Sequence, residues 1–101
     1  MEIGTRVNNN GYDITVTGNI KTIVDGKSIK DAITLAAHHH VGMPINLYIK
    51  DSFIITSSVI GFLIKVSKVD KLPLQVIVSS NELYEMLSEM NLLDSINIKK
   101  A

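Results

Sequence analysis

Cysteine is absent from this 101-residue chain. That excludes a disulfide scaffold, thiol chemistry and thiolate metal sites. Tryptophan is absent too, and aromatic residues make up 5%. Platforms that stack bases or sugars need rings, so that class of binding site loses weight. An excess charge of either sign is also missing, because ten Lys and Arg balance ten Asp and Glu. A nucleic-acid-binding domain would carry a basic surplus to neutralise phosphates, so nucleic acid is not expected as a partner. No apolar run approaches the roughly 20 residues that span a bilayer, and the polar start Met1–Asn10 has no signal-peptide pattern. The expectation is a cytoplasmic protein that is not membrane-inserted.

What is present is aliphatic. Hydrophobic residues make up 46% and charged residues 20%, the balance of a folded domain rather than a disordered one. The length suits one domain, 1–101, with a single core. Fifteen isoleucines favour strands.

Along the chain, residues 3–8 read as an edge strand, and Asn8-Asn9-Asn10-Gly11 carries an Asn-Gly hairpin signal. Tyr12, Ile14 and Val16 alternate with Asp13, Thr15 and Thr17, so 3–17 is predicted to be a β-hairpin. Gly18 to Lys27 reads as a loop, and Ser28 with Asp31 as a capping box opening a helix to about His40. Ile29, Ala32, Ile33 and Ala36 share one face of that helix, and Gly42 and Pro44 stop it. Ile45, Leu47 and Ile49 mark a second core strand. An apolar helix from Val59 toward Asp70 follows, then a strand Leu74–Val78. Ser80 caps a last helix whose inner face is Leu83, Met86, Leu87 and Met90, with Glu82, Glu85 and Glu89 outward. Asn91 suits a left-handed C′ position, and Ile96 and Ile98 suggest a short final strand. The order β-β-α-β-α-β-α-β predicts an α/β fold. Its mixed sheet combines an N-terminal hairpin with parallel strands packed against helices on one face or both.

Three constellations bear on function. Thr56-Ser57-Ser58 places three hydroxyls at a strand-to-helix junction, where unpaired backbone N–H groups gather. Helix capping is the plain reading, and a serine that carries a phosphate is the functional one. His38-His39-His40 lie about 100° apart around a helix, lack i, i+4 spacing, and have no further histidine to complete a site. They read as solvated residues near a helix C-terminus, and no metal is expected. Gly61 follows the serines, but positions 55 and 56 are Ile and Thr, so the Gly-x-Ser-x-Gly elbow of hydrolases is incomplete. No Gly-rich phosphate loop, Walker lysine or zinc-helix pattern occurs, so neither catalysis nor a cofactor is expected. The apolar helix from Val59 reads as core, or as a partner surface if part of it stays uncovered.

Taken together, Gly18-Asn19-Ile20, Thr56-Ser57-Ser58-Val59-Ile60-Gly61, Ser80-Asn81-Glu82-Leu83 and Asn91-Leu92 resemble the STAS domain family, over about residues 12–98. That family includes bacterial anti-sigma factor antagonists and the cytoplasmic tails of sulphate transporters. The element order carries the resemblance more than any one motif. It implies a non-enzymatic regulatory protein that binds an anti-sigma factor doubling as a serine kinase. It further implies that phosphorylation of the second serine, Ser58, switches binding, with Ser57 as the fallback acceptor. The implied docking surface comprises Lys21, Thr22, Thr56, Ser57, Ser58, Val59 and Ile60. The chain departs from the family pattern where Thr56 and Lys21 replace acids and Val59 replaces a glycine. Those departures favour a second reading, an unswitched STAS-like adaptor within a signalling or lipid-transport complex. A small enzyme or ligand binder built on the serines is a third. A monomer or weak homodimer is expected.

Overall fold

The computed structural model describes residues 1–101. A five-stranded mixed sheet holds β1 (Glu2–Asn8), β2 (Gly11–Thr17), β3 (Ile45–Lys50), β4 (Leu74–Val78) and β5 (Asn97–Lys100). The strands lie in sequential order, with β1 antiparallel to β2 and every later pair parallel. Helices α1 (Ile23–His39), α2 (Ser57–Ile64) and α3 (Asn81–Glu89) connect them. The α/β class and the mixed hairpin-plus-parallel sheet agree with the expectation.

Sequential order means that each crossover steps the same way across the sheet. Right-handed crossovers then bring all the helices to one face. Burial follows that geometry. Ile14, Val16, Leu47, Ile49, Val76 and Val78 lie beneath the helices, almost fully buried. Their alternates Thr15, Tyr48 and Ile77 are half-buried on the open face. The sequence left one face or both possible; the strand order decides for one. On the open face, Asp13 takes hydrogen bonds from the side-chain amides of Asn8 and Asn46, tying three strands together.

The hairpin forms with a shifted turn. Its two-residue loop is Asn9-Asn10, braced by the Asn10 amide donating to Asn8 Oδ1 (2.8 Å). Gly11 is instead the first residue of β2, at φ +134°. A Cβ there would collide with the Pro44 carbonyl oxygen, which accepts from the Tyr12 amide (2.8 Å).

Helix α1 begins earlier than Ser28-Asp31 suggests. Thr22 is its N-cap, with a complete capping box: the Asp25 amide donates to Thr22 Oγ1 (3.0 Å) and the Thr22 amide to Asp25 Oδ2 (3.1 Å). Ser28 lies inside the helix and donates to the Val24 carbonyl (3.1 Å). Gly26, which falls in the expected loop, lies within the helix and is pressed against Val59 of α2.

Thr56 caps α2, which runs into a π-helical turn at Lys65–Val69, and Ser80 caps α3. Met90, expected on the inner face, is 47% exposed because α3 ends at Glu89 and Met90 is already its C-cap. Asn91 adopts the expected left-handed conformation at φ 58°. No helix is long and apolar enough to cross a membrane.

Candidate functional site

The loops after β2 and β3 leave the same edge of the sheet, since those strands are parallel neighbours. Backbone and side-chain bonds join them. The Gly18 amide donates to the Lys50 carbonyl (2.9 Å), the Phe53 amide to Asn19 Oδ1 (2.8 Å), and the Ile20 amide to the Ile54 carbonyl (3.3 Å). Ser52, wholly buried, donates its hydroxyl to the Ile54 carbonyl (2.9 Å). The N-termini of α1 and α2 therefore emerge side by side from a pinned support.

The sequence determines how close the helices come. Gly26 and Lys30 are four residues apart, hence on one face of α1. A Cβ built on Gly26 would lie 3.1 Å from Val59 Cγ2, tighter than ordinary packing. The missing side chain lets α1 settle on α2, and Lys30, one turn on, reaches across. Its Nζ donates to Ser58 Oγ at 2.7 Å and stands 6.0 Å from the centre of the Phe62 ring.

Between the two helix ends lies an open cleft of about 330 Å³. Lys21, Lys27 and Lys30 line it, with the hydroxyl-bearing Thr22, Thr56 and Ser58. No carboxylate lines it. Lys27 pairs with Asp31 across one turn (3.0 Å), both groups exposed. Lys21 and Lys30 form no salt bridge. At the end of α1, the Asp25 carboxyl is held below its usual value, first by the Lys21 and then by the Thr22 backbone N–H. At α2, Thr56 Oγ1 accepts from the Val59 amide (3.3 Å), while the amides of Ser57 and Ser58 meet no protein acceptor.

The docking residues proposed from sequence therefore divide. Lys21, Thr22, Thr56 and Ser58 gather around the cleft, and Ser57 is exposed beside it without a lysine partner. Val59 is 0% exposed and Ile60 is buried, so their side chains belong to the core and offer nothing to a partner. The rest of the apolar helix is likewise mostly consumed in packing, with Leu63 and Val66 buried and Phe62 and Ile64 half-buried.

Sequence reasoning missed the apolar residues that are exposed here. Ile23 (91%), Val24, Phe53 (57%) and Ile54 stand out on the first turn of α1 and the loop before α2. Phe53-Ile54, an apolar pair in a segment with no strand or helix period, was the available signal. The three histidines gather no metal-binding partners, and the His40 ring instead packs on Tyr12 at 4.8 Å between centroids.

The arrangement is suited to holding an anion and is poor for covalent catalysis. A serine–lysine pair needs a desolvated amine to take the hydroxyl proton, whereas Lys30 is half-exposed. No protein-family model matches the chain, and no match to it was found among curated proteins.

Proposed function

We propose that this protein is a non-enzymatic regulatory binding module, of the kind its resemblance to anti-sigma factor antagonists implies. A partner with the character of an anti-sigma factor and serine kinase docks over the ends of α1 and α2. Phosphorylation of Ser58 releases it. The observation that carries this reading is the placement of Ser58: exposed, at the second position of α2, with Lys30 Nζ 2.7 Å from its hydroxyl oxygen.

The physics supports a local switch. A phosphoryl group adds about −1.5 to −2 charges. At a helix N-terminus that charge is stabilised by about 0.3–1 kcal/mol, and Lys30 offers it a charge-assisted bond. The fold accommodates the modification, while a partner seated over Ser58 meets new bulk and charge. Ile23, Val24, Phe53 and Ile54 supply the apolar contact that a docked protein would cover. Ser58 ranks above Ser57 as acceptor because Ser58 alone bonds a cation.

The test compares partner capture by wild-type, Ser58→Ala and Ser58→Asp protein. Retention by Ser58→Ala with loss by Ser58→Asp is expected, and equal capture by both would reject the switch. Mass analysis of protein from its native cells should show a phosphatase-sensitive phosphate on Ser58. A second reading, an unswitched adaptor subunit, draws on Thr56, whose hydroxyl is committed to capping α2. It predicts one fixed partner whose association phosphatase does not alter. On either reading the module acts in the cytoplasm, as a monomer or weak homodimer.

A further inference from the structure

We propose that the Lys21–Lys27–Lys30 cleft is a binding site for a phosphate monoester supplied by a second molecule, a role separate from any modification of Ser58. The argument is charge accounting. Three lysines line the cleft and no carboxylate does; Asp31 pairs with Lys27, which leaves Lys21 and Lys30 without a salt bridge. The sole side-chain hydrogen-bond partner of Lys30 is a neutral hydroxyl, and the Phe62 ring beside it is uncharged. Asp25 serves the backbone at the end of α1, and its bonds go to the Lys21 and Thr22 amides rather than to an ammonium.

The donors suit a tetrahedral dianion better than a carboxylate. Two lysines without salt bridges match two negative charges, and a phosphate monoester has three terminal oxygens to receive them together with Ser58, whose amide meets no protein acceptor. A carboxylate brings one charge and two oxygens. The cleft, about 330 Å³, lies at the small end of ligand sites (about 300–1,000 Å³), so a phosphate with a small substituent fits. Ser58 Oγ lies on the wall, so a phosphate carried on Ser58 would occupy the same space. The site is open to a free monoester only while Ser58 is unmodified.

The experiment is a titration of the ¹⁵N-labelled protein with inorganic phosphate, and separately with phenyl phosphate, near neutral pH at constant ionic strength set by chloride. Saturable shifts are expected at the amides of Ser57, Ser58, Lys27 and Lys30. The double variant Lys21→Gln/Lys30→Gln, whose changes lie on exposed or half-exposed positions, should weaken binding by about tenfold or more. Shifts that grow linearly and are equally large near Lys68, Lys71, Lys99 and Lys100 would be ordinary surface pairing and would overturn the proposal. Protein carrying phosphoserine at 58 should no longer respond to free phosphate; an undiminished response would place the site away from Ser58 and overturn it as well. Partner capture by the Ser58 variants is a separate readout, so failure here leaves the switch standing, and failure of the switch leaves this site standing.

Discussion

The contact between Gly26 and Val59 sets the spacing of α1 and α2, and substitution there has a sign that can be worked out. In an isolated helix, Gly→Ala stabilises by about 0.8–1.0 kcal/mol. Here the added methyl would sit 3.1 Å from Val59 Cγ2. Val59 is fully buried and cannot swing into solvent. Overpacking of this sort costs about 1–3 kcal/mol. Gly26→Ala should therefore lower stability by about 0–2 kcal/mol. Val59→Ala alone should cost about 2–3 kcal/mol, the transfer loss of two methyl-sized groups plus a cavity. In that background the clash is gone, and Gly26→Ala should instead stabilise by about 1 kcal/mol. The coupling between the two sites is then about 1–3 kcal/mol, read from urea unfolding of the four proteins at one temperature. Because Lys30 lies one turn beyond Gly26, the single variant should also loosen the Lys30–Ser58 bond. Full stabilisation by Gly26→Ala in the wild-type background would refute the tight approach and the placement of Lys30 that depends on it.

Other outcomes follow from the same structure. Phosphoserine at position 58 should raise the thermal midpoint by several degrees, since about 1 kcal/mol corresponds to roughly 4–8 °C at this size. Lys30→Gln should shrink that gain, and no gain at low ionic strength would contradict the geometry at the helix end. Thr22→Ala should cost about 1 kcal/mol by removing the α1 cap, whereas Ser28→Ala should be nearly neutral; the reverse ranking in urea unfolding would restore the later helix start. Acid should destabilise the fold. Asp25 and Glu82 have carboxyl pKa values held down in the native state, Asp25 by the amides of Lys21 and Thr22, Glu82 by its own amide and then the Ser80 hydroxyl. Their stabilisation is complete above the ordinary values of 3.8 and 4.5 and is lost as pH falls through the lower native ones. Asp25→Asn should flatten the fall in urea midpoint below about pH 4, and an unchanged profile would exclude the carboxylate's role.

The open sheet face bears on how such a module is used. Helices cover only one side, and the other presents half-buried Thr15, Tyr48 and Ile77 among polar neighbours. Alternation along β2, β3 and β4 explains why that face stays in water. The proposed docking surface lies where α1 and α2 begin, at the opposite end of α1 from the three histidines.

Periodicity by itself determined the α/β class, the order of the elements, the hairpin, and the inward rows of β2, β3 and β4. Each of these rests on local alternation or on a capping residue beside an apolar run, as at Ser80 and Asn91. The hydroxyl cluster at Thr56-Ser57-Ser58 was legible for the same reason, as a junction of strand and helix. The start of α1 was not. The Ser28–Asp31 pattern reads as the cap, whereas the N-cap is Thr22, and the helix takes in Gly26. Only packing against Val59 makes a glycine favourable within that helix. The fate of Val59 and Ile60 was equally hidden, because an apolar helix reads the same whether its sides meet a core or a partner. Tertiary structure alone brought Lys30 to Ser58 across 28 residues of chain. The cleft is a product of two helices converging at one edge of a parallel sheet, and no spacing within the sequence encodes that distance.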